Sequence, residues 1–167
     1  DFDRMLEKML VEAKQFCNAD AGSLYLRTDD DKLQFVIVRN DTQNIALGGT
    51  TGNAVTFPPL ALFDASGKPN DQNVAAHATL TGESINIPDV YASNAFDFTG
   101  PRRFDEQTGY RTQSMLTIPL KNSLGEVKGV LQLLNAKEPT TGQVIAFDLN
   151  LQEMMESFSS LAVAALE

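Results

Sequence analysis

The sequence predicts an α+β domain: a central antiparallel sheet with the terminal helices packed on one face and a short helix plus a lid loop on the other. Three observations predict it. Apolar residues recur at helical spacing at both ends of the chain, and the middle holds β-rich runs joined by short turns. A long polar segment dotted with aromatics separates the two groups of strands.

At the start, Phe2, Met5, Leu6, Met9, Leu10, Ala13, Phe16 and Cys17 step by threes and fours and mark one buried stripe of a helix reaching about Asn18. Asp3, Arg4, Glu7, Lys8, Lys14 and Gln15 fall on the opposite face, where Glu7 and Lys8 are expected to meet water. Cys17 reads as a small apolar packing residue, because no neighbouring cation or helix N-terminus activates it.

Asn18 to Gly22 is expected to break the helix. Ser23–Thr28 and Leu33–Arg39 then read as an antiparallel hairpin around Asp29–Lys32. The three aspartates lack the glycine and distal glutamate of a calcium loop and read as a solvated turn. From Asn40 to Asn73 the glycines and prolines predict mostly loop, with one short apolar piece, Ala54–Phe57, as a candidate third strand. The Gly48–Gly52 run is a turn and not a phosphate cradle, since no Lys-Ser/Thr follows it.

Asn73 is a suitable N-cap for a short helix, Val74–Leu80, stopped by Thr81-Gly82, and Glu83–Ile87 follows as a strand closed by Pro88. His77 is the only histidine and has no second ligand at fixed spacing, which favours a packed residue over a metal or haem ligand. Asp89–Arg111 is too long for an ordinary connection and carries Tyr91, Phe96, Phe98, Phe104 and Tyr110, so it reads as a lid. Asp105 to Arg111 is expected to be a polar loop feeding a hairpin of two strands, Ser114–Leu120 and Val127–Asn135, that turns at Gly125. After Thr140–Gly142, the apolar positions Phe147, Leu151, Met154, Met155, Phe158, Leu161, Ala162, Ala165 and Leu166 mark the last helix.

Composition narrows the function. A net charge of -9 repels phosphate backbones, and the one basic pair, Arg102-Arg103, sits beside Asp105 and Glu106, so nucleic acid is not an expected partner. No apolar run approaches the length of a membrane span, so no membrane contact by this domain is expected. One cysteine allows no internal disulfide, which fits a cytoplasmic location. The chain opens and closes inside helical patterns, so the expectation is a single domain, residues 1–167, cut from a longer signalling protein.

Catalysis is not supported. There is one Cys and one His, no nucleophile elbow, and the adjacent Asp105 and Glu106 would point apart in an extended segment. A binding site is better supported, because Asp97, Asp105, Thr108, Thr112 and the strand residue Gln132 can converge where the lid crosses the sheet. Hydroxyls, carboxylates, an amide and stacking rings suit a small polar molecule.

Asn86-Ile-Pro-Asp89 with Tyr91, Asp105-x-x-Thr108-Gly-Tyr-Arg-Thr112, Ile118-Pro-Leu120, Gly125 and Gly129–Asn135 resemble a GAF domain, in particular the regulatory GAF domains of cyclic-nucleotide phosphodiesterases and of bacterial cyclases and sensor proteins. Ala21-Gly-Ser23 and Val74-Ala-Ala-His77 match that family too. The resemblance implies a GAF/PAS-like sheet of about six antiparallel strands and a sensory module that is not itself an enzyme. It also implies a small-molecule ligand, a homodimer through the terminal helices, and a fused output domain such as a kinase, cyclase or phosphodiesterase. Carried over onto matching positions, the pocket comprises Ser23, Arg39 or Asn40, Val74, Ala75, Asp97, Asp105, Thr108, Thr112 and Gln132. The alternatives are a cyclic-nucleotide (cAMP or cGMP) binder, a structural dimerisation domain with no ligand, and a haem or bilin sensor, which the lone His77 does not favour. Nucleotide-binding relatives are expected to brace the fold with a lysine next to the asparagine and an aspartate of the last helix. Here Asn135 is followed by Ala136, and Lys137 is displaced by one, which on a strand turns it to the opposite face.

Overall fold

The computed structural model describes all 167 residues. The elements run α1 (Phe2–Cys17), β1 (Ala19–Arg27), β2 (Lys32–Asn40), β3 (Ile45–Gly48), β4 (Leu60–Ala61), α2 (Val74–Thr81), β5 (Ile85–Ile87), α3 (Thr99–Thr108), β6 (Met115–Lys121), β7 (Val127–Lys137), β8 (Val144–Ile145) and α4 (Leu149–Leu166). The main sheet has the order β3-β2-β1-β7-β6-β5, with β4 paired to β2 and β8 to β7, and every pairing is antiparallel. The fold is α+β, as the hairpin pattern implied.

The central strands carry apolar residues on both faces, because each face is covered. On one face Leu24, Ile37, Leu116, Ile118, Leu131 and Leu133 pack against Leu6, Met9, Leu10 and Ala13 of α1 and Met155 and Val163 of α4. On the other, Tyr25, Leu33 and Val130 meet Ala75 and Ala76 of α2. A third cluster joins Val74, Ile87, Val90, Phe98 and Met115 beneath the segment leading to α3. Burial pushes the Cys17 thiol up to about 12, so it stays a protonated packing residue.

β1 and β7 approach closely at Gly129, where a Cβ would stand 2.3 Å from the Tyr25 carbonyl oxygen. Gly129→Ala must push these two central strands apart and is expected to cost about 1–3 kcal/mol in urea denaturation. An unchanged midpoint would show that the contact is not tight.

Several expectations need correcting. The helix breaks at a single residue: Asn18 takes the left-handed conformation (φ 51) that asparagine tolerates, so β1 begins at Ala19 and not at Ser23. Ala54–Phe57 forms no strand. The strand beside β2 is β3, set by a tight turn in which Asn40 Oδ1 accepts from the Gln43 N–H and Asn44 is left-handed. The lid is not all loop, since α3 occupies Thr99–Thr108, ended by left-handed Gly109. Asp105 to Thr108 is therefore helical, not part of an extended approach. Glu7 does not face water; its carboxylate accepts from Arg39 Nη2 (2.9 Å), the Thr50 N–H (3.1 Å) and Thr50 Oγ1 (2.6 Å). Lys14 is likewise buried and bonds Asp41 at 2.7 Å. Phe2, Met5 and Phe16 of α1 and Met154 and Leu161 of α4, expected on the buried stripes, stand exposed. The stripe that α4 buries is Met155, Ser159 and Val163.

Candidate functional site

Alternation along β1 sends Leu24 toward α1 and α4, and Ser23 and Tyr25 toward α2. Register then carries a row across the sheet, Val38, Ser23, Gln132, Thr117 and Ile85, each opposite the next. In its middle the Gln132 amide is held at both ends: Nε2 donates to Thr117 Oγ1 (3.0 Å) and Oε1 accepts from Tyr25 OH (3.3 Å). Burial raises the Tyr25 phenol, so it remains a donor. The Ser23 hydroxyl has no partner within the chain, and both Ser23 and Gln132 are half-buried.

Over this row sits the start of α2. Asn73 caps it, its Oδ1 accepting from the Ala76 N–H at 3.0 Å, which leaves the N–H groups of Val74 and Ala75 as first-turn donors. The lid docks at the same end, with the Asp97 N–H donating to the Gln72 carbonyl (2.7 Å) and Phe96 meeting the His77 ring edge-on at 5.2 Å. The structure therefore places Ser23 and Gln132 of the sheet on the face that the start of α2 covers, with Val74 and Ala75, whereas Asp97 joins them only through its backbone bond to Gln72 and its side chain is exposed. Asp97 is occupied: its Oδ1 accepts from Thr99 N–H and Oγ1 at the start of α3, and these bonds hold its carboxyl below the usual range.

The other expected residues lie elsewhere. Arg39 is opposite Gly22, one step out of phase with Ser23, so it points to the α1 face and is held by Glu7. Asn40 lies on the Ser23 face, but its Oδ1 closes the β2–β3 turn. Thr108 Oγ1 donates back to the Phe104 carbonyl (2.7 Å). Asp105 and Thr112 form a latch at the far end of the lid. Asp105 Oδ2 accepts from the Thr112 N–H (2.9 Å) and Tyr91 OH (2.7 Å), and its Oδ1 accepts from Thr112 Oγ1 (2.8 Å). Tyr91 in turn lies under the Arg111 guanidinium, 3.9 Å from the ring centre, and Arg111 pairs with Asp89 at 3.2 Å.

Sequence reasoning did not single out Thr117 and Tyr25, which orient Gln132. Their signals were a threonine inside the apolar run Met115–Leu120 and a tyrosine two residues after Ser23 on the same face.

The family model described as GAF domain matches residues 1–166. Over 62 residues, 37% of this chain and 4% of the relative, the sequence is 42% identical to the dual 3',5'-cyclic-AMP and -GMP phosphodiesterase 11 of Drosophila melanogaster. A cGMP-specific 3',5'-cyclic phosphodiesterase of Drosophila ananassae is 28% identical over 137 residues, 81% of this chain and 11% of that protein. The chain thus spans about a tenth or less of the length of these relatives. Among solved structures, the GAF domain from Acinetobacter phosphoenolpyruvate-protein phosphotransferase superposes with a TM-score of 0.61 at 14% identity, covering 94% of this chain and 76% of that one.

Proposed function

The chain belongs to the GAF domain family, and from that membership we propose that it is a non-catalytic sensory module that binds a small polar molecule between the Ser23–Gln132–Thr117 row and the start of α2. It is one domain of a longer cytoplasmic signalling protein. Occupancy passes through dimerising terminal helices to an output domain such as a kinase, cyclase or phosphodiesterase. The observation that carries the reading is the row itself: a pre-oriented amide and an unpartnered hydroxyl, half-buried on the sheet face that α2 covers. A ligand that favours the docked lid by its differential contacts biases the helices on the opposite face by a few kcal/mol.

The helices support the dimer. Met154, Leu161 and Ala165 with half-buried Phe158 line one outward side of α4, and the Phe158 ring meets that of Phe16 of α1 at 5.8 Å between centres, tilted by 59°. Phe16 is 55% and Leu161 74% exposed. Such a patch is what a second copy covers. Size-exclusion with light scattering is expected to give a dimer that Leu161→Glu dissociates, and a strict monomer at high concentration would overturn this part. For the ligand, a magnetic-resonance screen of small polar metabolites is expected to shift the Ser23, Val74 and Gln132 amides. Binders that move only other residues, or none at all, would sink the proposed pocket.

The free Val74 and Ala75 N–H groups favour a cyclic nucleotide as a second reading, since a helix N-terminus attracts a phosphate. Calorimetry with cAMP and cGMP tests it, and the absence of heat at millimolar ligand would end it.

A further inference from the structure

On the other side of the sheet a cleft of about 510 Å³ opens between the α2–β5 corner, β6 and α4, within the range of small-molecule sites. Its polar walls are Glu83 and Ser84 from the corner, Lys121 from β6, and Gln152, Glu156 and Ser160 from α4. The three α4 residues follow at four-residue steps and so stand one above another on successive turns. Two are pinned across the cleft wall, Glu156 Oε2 accepting from Ser84 Oγ at 2.7 Å and Gln152 Oε1 from Asn86 Nδ2 at 3.1 Å, while Ser160 Oγ donates back to the Glu156 carbonyl at 3.2 Å and keeps its acceptor lone pairs. Glu156 Oε1 keeps its lone pairs free.

The charges in this cleft do not satisfy one another. Most basic side chains of the chain reach a carboxylate within 4.0 Å, yet Lys121 does not, although Glu83 and Glu156 line the same space. The cleft therefore presents one ammonium and two carboxylates, none of them in an ion pair within 4.0 Å. The occupant that answers this pattern carries one anionic and two cationic groups. We propose that the cleft binds a basic α-amino acid, its carboxylate on Lys121 and its two ammonium groups on Glu83 and Glu156. Ser160 and Gln152 supply neutral hydrogen bonds. Such a ligand ties α4 to the α2–β5 corner over three successive turns, and the outward apolar side of α4 stays free. The site stands on its own geometry and does not depend on the pocket at Ser23.

Calorimetric titration with L-lysine tests it, with L-norleucine lacking the side-chain ammonium and cadaverine lacking the carboxylate. Lysine is expected to bind, and each comparator to bind at least about tenfold more weakly, as loss of one charge contact implies. Lys121→Met and Glu156→Gln are each expected to weaken lysine at least about tenfold. The introduced glutamine can still accept from Ser84, so the fold is kept. Amide exchange should slow in residues 82–84 and 152–160 when lysine is present. No heat from lysine at millimolar concentration, equal binding of cadaverine, undiminished binding in both variants, or protection centred on Ser23 and Gln132 would each overturn the proposal.

Discussion

Asp105→Ala is expected to destabilise the domain by about 3–5 kcal/mol in urea denaturation and to lower Tm by roughly 10 °C. Asp105 is only 6% exposed, and its two oxygens take three hydrogen bonds from the lid and from the approach to β6. Alanine strands the Thr112 N–H and hydroxyl, and Thr112 is 1% exposed, so water cannot replace the lost acceptor. Each buried donor left without a partner costs about 1–3 kcal/mol. Tyr91 suffers less, because its ring is partly exposed and its hydroxyl can turn to solvent. Asp105→Asn keeps an acceptor and should lose less. A loss under about 1 kcal/mol for the alanine variant would show that the lid does not hang on this carboxylate. The same variant separates stability from sensing: amide exchange should accelerate in residues 89–112 and leave the β1–β7 core protected.

Asp105 also shows what the sequence made legible and what it hid. Its place in a lid beside Thr108 and Thr112 was readable, but its role was not, because α3 was invisible. That helix has Phe104 as its one large apolar side chain, so no stripe announced it, although Asp97 before Thr99-Gly-Pro101 and Gly109 after Thr108 bracket it as start and stop signals. α1, α2 and the β6–β7 hairpin were legible because caps, turn glycine and periodicity agreed. β3 and β8, of four and two residues, are made by pairing across the fold and leave almost no local pattern.

At the candidate site the difficulty was register. Ser23 and Arg39 were both on strands that line the sheet, but only the pairing Gly22–Arg39 and Ser23–Val38 reveals that their side chains leave by opposite faces. The exposure of Phe16 and Leu161 was hidden for a related reason. Helical periodicity marks an apolar side but not whether the same chain covers it.

Lys137→Met is expected to cost about 2–3 kcal/mol and to move acid unfolding to higher pH. The lysine that stands one place late finds a different partner. Asn135 adopts φ 58 and interrupts the alternation of β7, and Lys137 Nζ lies 3.2 Å from Asp20 Oδ1. Asp20 Oδ2 accepts from Tyr110 OH at 2.7 Å, and Asn135 Nδ2 donates to that same oxygen of Tyr110 at 3.0 Å. Asp148, the residue the brace of nucleotide-binding relatives would need, instead caps α4 through the Leu151 N–H at 2.8 Å. The side chain of Asp20 is 6% exposed and that of Lys137 30%, so removing the lysine leaves a buried carboxylate that water relieves only from one side. This places the cost below that of a fully buried pair. Burial opposes ionisation of Asp20, but hydrogen bonds from Tyr110, Thr42 and Lys137 outweigh it and hold the carboxyl below its ordinary value. A group depressed in the folded state stabilises above its unfolded pKa, and that stability fades as pH falls through the folded one, here from about pH 4 downward. Without Lys137 the opposing burial gains weight, so the loss begins at higher pH. Far-ultraviolet circular dichroism across an acid titration reads the shift, and coincident acid limbs for the two proteins would overturn it. Asp20→Asn combined with Lys137→Met should recover part of the loss, because the double variant no longer buries an unpaired charge.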